Sequence, residues 1–225
     1  MKTTFEKFKG FFDSIEQNPN IDIISSQQGF DEADPEELDE METDFNEETN
    51  LKIPNSLKGL LIFADVSLHW ASKLQTPSDL RGIIEVPEIE NIFRLDRYRI
   101  PMYDTQELDS ETKGLVSKAY FFDMGVDYEW GTVLVKDENK DFPDLWFFDE
   151  YKFFLMDLNF DNYFDIVFQT KGMFYWQYLF CSREVYQQID YYKKEYIKNI
   201  IDFLPQLFPD DNITLLLERY KAITA

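Results

Sequence analysis

The sequence predicts an α+β fold, with helices near both ends of the chain and strands between them. Two observations favour this fold. Apolar residues recur with helical spacing near the N terminus and again near the C terminus, whereas short β-like runs fill residues 68–156. The later runs are too closely spaced for βαβ crossovers, which favours antiparallel hairpins. We therefore expect a central mixed or antiparallel sheet of about six strands, flanked by helices and followed by a C-terminal helical extension.

The N-terminal segment has the spacing of an amphipathic helix. Its apolar residues fall on one face of a helix over residues 4–17, and Pro19 then ends the pattern. The polar residues 18–30 that follow are predicted to be a connection. The apolar stripe of the helix consists of Phe5, Phe8, Phe12 and Ile15.

A second helix has three start signals close together. Asp34 can cap it, Pro35 suits the first helical position, and Glu37 stands three residues after the cap. The apolar stripe of this helix is narrow. A further helix is predicted over residues 57–64, where apolar residues recur at helical spacing.

Six runs of the middle region have the character of strands. Within residues 130–136, two sets of side chains alternate along the run, and the breaks between runs carry Gly, Pro, Asp or Asn. The predicted strands are residues 68–73, 82–87, 118–123, 130–136, 145–149 and 152–158.

Helical spacing returns toward the C terminus. Asn159 can cap a helix that Gly172 ends, in a position that favours a left-handed residue. A long helix is predicted over residues 183–204, ended by Pro205, and a last one over residues 212–223. The residues expected to face inward in the long helix are Val185, Ile189, Tyr192, Tyr196, Ile200 and Phe203.

The charge balance is strongly acidic. Lys and Arg total 22 and Asp and Glu total 44, for a net charge of −22. Eleven of the acids and no base lie within residues 31–50. A phosphate backbone and an anionic membrane surface both require cations, so we expect no nucleic-acid partner and no membrane partner. A basic protein would be attracted instead, with faster association at low salt.

We expect no signal for export or membrane insertion in this sequence. Its first residues are charged, and the longest stretch without a charged residue, 172–182, has only eleven residues. A spanning helix needs about 20 apolar residues. The single cysteine, Cys181, excludes an internal disulfide and suits a reducing compartment. We therefore expect a cytoplasmic protein in which Cys181 is a small buried residue.

The motifs of common enzyme classes are absent from the sequence, including G-x-G-x-x-G, the P-loop, G-x-S-x-G and Cys-x-x-Cys. The one histidine, His69, lies on a predicted strand and is interpreted as structural rather than as a general base. Residues 137–141 and 157–161 begin like calcium loops, but Phe142 and Asn162 stand where a glycine is needed. We predict no catalytic residue, no cofactor and no metal. A carboxylate pair acting on a glycoside is the remaining enzymatic alternative.

The order of segments resembles the SUKH superfamily, which includes fungal regulators of cell-wall glucan synthesis and many bacterial toxin-immunity proteins. The resemblance covers roughly residues 33–181. Residues 64–67 depart from it, because the family commonly has a pair of glycines there. The matching segments are 36–42 (EELDEME), 51–58 (LKIPNSLK), Trp70, 82–85 (GIIE), 119–125 (AYFFDMG), 130–134 (WGTVL), 158–164 (LNFDNYF), 170–172 (TKG) and 176–180 (WQYLF).

The resemblance implies a division of the chain and a role. Residues 1–32 are an N-terminal helix and connection, 33–181 are the SUKH-like core, and 182–225 are a helical extension packed on that core. The family is not known as enzymatic, and its bacterial members bind a toxic effector domain, often a nuclease, and block it. The resemblance therefore implies a protein-binding module, either an immunity protein for a basic toxin domain or a regulatory scaffold like the fungal members.

Two segments are candidates for partner contacts. The loop 123–130 combines acidic with aromatic residues, a mixture that interfaces favour. The acidic run is the second candidate, and a solvated helix face without a partner is the alternative for it. The predicted contacts are Asp127, Tyr128 and Glu129 in the loop, with Asp31, Glu32, Glu36 and Glu40 contributing mainly to the association rate.

Overall fold

The structure, a computed structural model, describes residues 3–31, 34–74, 80–95, 98–100, 108–125 and 129–225, and it confirms the α+β class. The described residues form eight α-helices and seven β-strands. The helices are α1 (Thr4–Glu16), α2 (Pro35–Thr49), α3 (Ile89–Ile92), α4 (Ser110–Val116), α5 (Phe160–Thr170), α6 (Arg183–Gln188), α7 (Tyr191–Leu207) and α8 (Thr214–Thr224). The strands are β1 (Ile21–Gln27), β2 (Val66–Ser72), β3 (Arg81–Val86), β4 (Ala119–Met124), β5 (Trp130–Val135), β6 (Asp144–Asp149) and β7 (Lys152–Leu155).

These strands form two antiparallel sheets, so the expectation of one central sheet of about six strands is wrong. The order is β1-β2-β3 in one sheet and β4-β5-β6-β7 in the other. Backbone hydrogen bonds along the outer edge of β3 explain why the strands divide into two sheets. The N–H of Ile83 donates to the carbonyl of Gly172 at 2.9 Å, and the N–H of Phe174 donates to the carbonyl of Arg81 at 3.2 Å. The segment after α5 thus occupies the backbone groups that would otherwise pair with β4.

A side chain completes the junction between the sheets. The next N–H on the same edge of β3, that of Glu85, donates to Oδ1 of Asp123 on β4 at 3.2 Å. The close approach beside this edge requires glycine at position 172. Gly172 has a φ of +63°, and a Cβ there would lie 2.5 Å from Cγ1 of Ile84. The prediction that a left-handed Gly172 follows α5 is confirmed.

Strand β1 was predicted to be a connection. It is an edge strand in which only Ile21 is buried and the other six residues are exposed, so the sequence shows no apolar alternation. Helix α1 begins and ends close to its predicted bounds, with Thr3 as its cap, and α2 begins after its predicted cap, Asp34. The helix predicted over residues 57–64 is only a 3₁₀ turn.

The long helix predicted over residues 183–204 is two helices. The chain leaves α6 at Ile189, and the Asp190 side chain accepts from the N–H of Lys193 to begin α7. Pro205 lies inside the last turn of α7 and does not end the helix at Leu204. Of the residues predicted to face inward, Tyr196 and Ile200 are buried, and Tyr192, in the first turn of α7, is exposed; the remaining three, Val185, Ile189 and Phe203, are half-buried.

The main hydrophobic core draws on all three predicted segments of the chain. It includes Phe8 from α1, Trp70 from the first sheet, Trp176 from the turn after α5, and Ile200 from α7. A smaller core covers the other face of the second sheet, so β4 and β5 are buried along their whole length. Within the described part of the chain, no helix is both long and apolar enough to span a bilayer.

Candidate protein-binding surfaces

Three of the seven predicted contact residues, Asp127, Tyr128 and Glu32, lie outside the described residues. Glu129 is exposed at the start of β5, and its carbonyl accepts from the N–H of Glu150 at 3.1 Å. Asp31, Glu36 and Glu40 are exposed as well, and the last two share one face of α2. Backbone contacts therefore tie Glu129 to the β6–β7 turn, whereas Glu36 and Glu40 belong to a separate surface on α2.

The first surface is the acidic face, defined as Glu36, Glu40, Asp44 and Glu47 of α2 with Glu90 of α3. The four α2 positions form a stripe at helical spacing, opposite to the buried Phe45. Two cations reach α2 elsewhere: Lys58 pairs with Glu42, and Arg94 pairs with Glu48. Among the described residues, no cation pairs with the four carboxylates of the stripe.

The carboxylates at this surface influence one another. Partial burial, followed by the negative charges of Glu88 and Asp44, raises the pKa of Glu90 above its usual value. Arg94 Nη1 lies 3.6 Å from Oε2 of Glu90 and offsets only part of this charge. The acidic face is therefore a region of strong negative potential, suited to a cationic partner.

The second surface is the tyrosine patch, defined as Tyr192, Tyr196, Tyr175, Glu150 and Glu129. The side chain of Tyr192 is 60% exposed, which corrects the prediction that it faces inward. The ring centroids of Tyr192 and Tyr196 are 4.9 Å apart, and those of Tyr196 and Tyr175 are 5.7 Å apart. Tyr192 lies in the first turn of α7, and the capping residue Asp190 was the sequence signal that the helix begins there.

A buried ion pair lies beneath the tyrosine patch. Lys193 Nζ contacts Oδ2 of Asp149, and the hydroxyl of Tyr178 donates to the same carboxylate oxygen. Burial alone would lower the pKa of Lys193, but the hydrogen bond to Asp149 and the charge of that carboxylate raise it. The Lys193 ammonium also lies over the ring of Tyr175, 5.5 Å from its centroid. This network joins α7 firmly to the second sheet.

A second buried carboxylate, Asp123, lies at the junction of the two sheets. It is 3% exposed, and no cation of the described residues contacts it. The Tyr163 hydroxyl lies 2.9 Å from Oδ2 of Asp123 and 2.8 Å from Oγ1 of Thr132, but it has only one hydrogen to donate. When Asp123 is ionised, Thr132 can donate to Tyr163 and Tyr163 to Asp123; when Asp123 is protonated, the same contacts can run from Asp123 to Tyr163 to Thr132.

Burial, together with the nearby charge of Glu85, raises the pKa of Asp123 to about 7. The hydrogen bonds from the N–H of Glu85 and from Tyr163 lower this pKa, but they offset only part of the effect of burial. Since the folded pKa is above the ordinary value of 3.8, the folded state holds an extra proton between these values. The stability that this proton contributes is fully present below the unfolded pKa of Asp123 and is lost as the pH rises through about 7.

We expect Asp123→Asn to remove this dependence, since the amide can donate to Tyr163 as the protonated acid does. As the pH rises from 5 to 7, the free energy of unfolding of the wild type should fall by about 2 kcal/mol relative to that of the variant. Denaturant titrations of both proteins at several pH values test this, because the other acids titrate alike in both. Two parallel stability curves would contradict a protonated Asp123.

The predicted calcium-like segments have structural roles. The Asp137 carboxylate accepts from the N–H and the side-chain amide of Asn139 in the β5–β6 hairpin, and Asn159 caps α5. Across the residues that the structure describes, no group of three or more His, Cys, Asp or Glu is placed to hold a metal. His69 lies on β2, with Nε2 3.6 Å from Oε2 of Glu85. Burial raises the pKa of the Cys181 thiol, which disfavours the nucleophilic thiolate.

A groove of about 610 Å³ lies between α5 and α8. Arg219 lines this groove, and its guanidinium group pairs with Asp157 at 2.6 Å and lies over the ring of Phe180. The second carboxylate of the lining, that of Asp165, pairs with Lys7 at 2.8 Å.

In comparisons with known proteins, no family model, no curated protein and no solved structure matches the chain.

Proposed function

We propose that the chain is a non-enzymatic, cytoplasmic protein-binding module whose partner is a basic protein. The acidic face carries this proposal. It presents a stripe of exposed carboxylates without cation partners among the described residues, on a chain of net charge −22. Such a surface repels nucleic acid and anionic lipid and attracts a cationic protein surface.

We further propose that the module is an immunity protein of the SUKH type, which neutralises a basic toxin domain such as a nuclease. The resemblance of residues 33–181 to that superfamily supports this role. A nuclease must handle anionic phosphate and is therefore often basic around its active site. An acidic inhibitor can occupy that site in competition with nucleic acid, without any chemistry of its own.

In this proposal the two predicted contact segments have different tasks. Asp127, Tyr128 and Glu129 form contacts in the bound complex. Asp31, Glu32, Glu36 and Glu40 mainly steer the encounter, because exposed charges at the rim of an interface affect the association rate more than the dissociation rate.

Co-expression tests the immunity role. Toxin and immunity genes normally lie side by side, so the product of the neighbouring gene is the first partner to examine. We expect that product to arrest growth when expressed alone, and the chain to restore growth when co-expressed. A neighbouring product that is harmless, or that stays harmful in the presence of the chain, would contradict an immunity role and favour a regulatory scaffold.

Charge reversal tests the role of the acidic face. We expect the double variant Glu36→Lys/Glu40→Lys to bind the basic partner about tenfold more slowly at low salt, with little change in dissociation rate. The double variant Glu184→Lys/Glu218→Lys is the matched control, since it has the same net charge and alters exposed residues on α6 and α8. Stopped-flow association over a salt series measures the difference. Equal rates for the two variants would contradict steering by the acidic face.

A further inference from the structure

The tyrosine patch has the features of an interface anchor. Tyrosine is enriched among the residues that contribute most of the binding energy at protein interfaces. The ring of Tyr192 is 60% exposed, yet it is supported from one side by the ring of Tyr196, and the two hydroxyl oxygens are 3.0 Å apart. Binding a partner would therefore cost little side-chain entropy at Tyr192.

The support continues into the core and reaches the predicted contact loop. Behind Tyr196, the ring of Tyr175 packs on that of Trp130 at a centroid distance of 5.1 Å. Trp130 is buried and directly follows Glu129. A continuous row of packed rings thus connects Tyr192 with Trp130, the neighbour of Glu129.

Carboxylates lie beside these rings. The Glu150 side chain is 68% exposed and lies 3.4 Å from Nζ of Lys193, whose closer partner is the buried Asp149. The same Lys193 ammonium lies over the ring of Tyr175, which packs on Tyr196 beside Tyr192. An exposed acid beside a supported aromatic ring is thus available to a partner.

This chain holds its own cations with the same combination of groups. Arg219 lies over Phe180 and pairs with Asp157. Lys193 lies over Tyr175 and pairs with Asp149. Arginine suits such a site best, because its planar guanidinium stacks on aromatic faces and binds a carboxylate through two parallel hydrogen bonds.

We propose that Tyr192 is the aromatic anchor of the partner-binding surface and receives an arginine of the basic partner, whose guanidinium stacks on the ring and pairs with Glu150. This inference rests on the proposed binding of a basic protein. Tyr191 provides a matched control within the same helix. It is 76% exposed, but at about 100° per residue it lies roughly 200° from Lys193, away from the patch.

Two short probe peptides test the anchor, one of alternating Arg and Gly and one of alternating Lys and Gly. We expect the wild-type chain to bind the arginine peptide more tightly in fluorescence anisotropy titrations at low salt. Tyr192→Ala should weaken its binding about fivefold and remove the preference for arginine over lysine. Tyr192→Phe and Tyr191→Ala should bind as the wild type does, and Glu150→Gln should also reduce the preference.

Melting curves confirm that each variant is folded, and folding should be retained because the replaced groups are largely exposed. A Tyr192→Ala chain that keeps the arginine preference, or a Tyr191→Ala chain that loses it equally, would overturn the anchor while leaving the proposed function intact. A wild-type chain that binds neither peptide would overturn both.

Discussion

Replacing Lys193 by methionine is expected to lower the free energy of unfolding by about 3–5 kcal/mol. The Lys193 side chain is 9% exposed and that of Asp149 is 4% exposed, so both charges are shielded from water. Removing the ammonium leaves the Asp149 carboxylate buried with the Tyr178 hydroxyl as its remaining close donor. An uncompensated buried charge is costly, which makes this one of the two most damaging substitutions that we predict.

Chemical denaturation of three variants isolates this effect. Lys194→Met alters the adjacent lysine, whose Nζ donates to the carbonyl of Gln187 and lies over the ring of Tyr186, and should cost about 1 kcal/mol or less. Adding Asp149→Asn to Lys193→Met should recover part of the loss, because no buried charge then remains unpaired. Similar stabilities for Lys193→Met and Lys194→Met would contradict the buried pair.

Truncating Trp176 to alanine is the second substitution with a large expected effect, again about 3–5 kcal/mol. Trp176 is 1% exposed in the turn after α5. Its ring packs on those of Tyr163 and Phe180 at centroid distances of 5.6 and 5.9 Å. Alanine would leave a cavity between α5 and the C-terminal part of the core, where surrounding rings cannot close fully.

The half-buried Trp146 of β6 provides a comparison within the same chain. Trp146→Ala removes the same atoms from a partly solvated position and should lower the melting temperature by less than Trp176→Ala does. An unchanged melting temperature for Trp176→Ala would mean that the ring is exposed and available as a binding anchor.

Local signals predicted much of this fold. Helix α2 was predicted from Asp34 and Pro35, because a cap and a first-turn proline act through the neighbouring backbone alone. The hairpin strands β4 to β7 were predicted from short runs separated by turn residues. Strand β1 was missed because an exposed edge strand has no buried face to impose alternation.

Tertiary contacts determined the features that the sequence did not reveal. The division into two sheets depends on residues 172–174 occupying the edge of β3 and on the Asp123 side chain beside them. The Lys193–Asp149 pair joins residues 44 positions apart, and each would ordinarily be assigned to the surface. In the candidate surfaces, Glu36 and Glu40 were predicted as contact residues from the concentration of acidic residues in the sequence alone.

Tyr192 escaped prediction for a different reason. The apolar spacing over residues 183–204 looks continuous, so it predicted one helix with Tyr192 inside. The chain breaks at Ile189 and a new helix begins after Asp190, so Tyr192 lies in a first turn, where it is exposed although Tyr196 on the same face is buried. A cap signal within a long periodic run therefore carries information that periodicity alone does not.

Affinity capture from cells of the organism that carries the gene is the measurement that tests the central claim most directly. The wild-type chain and Glu36→Lys/Glu40→Lys are used as matched baits at low salt, with nuclease treatment to remove nucleic acid. If the acidic face binds a basic protein, the wild type should retain one basic protein in equimolar amount and the variant should retain distinctly less. Capture of no basic protein by the folded wild-type chain, or equal capture by both baits, would contradict it.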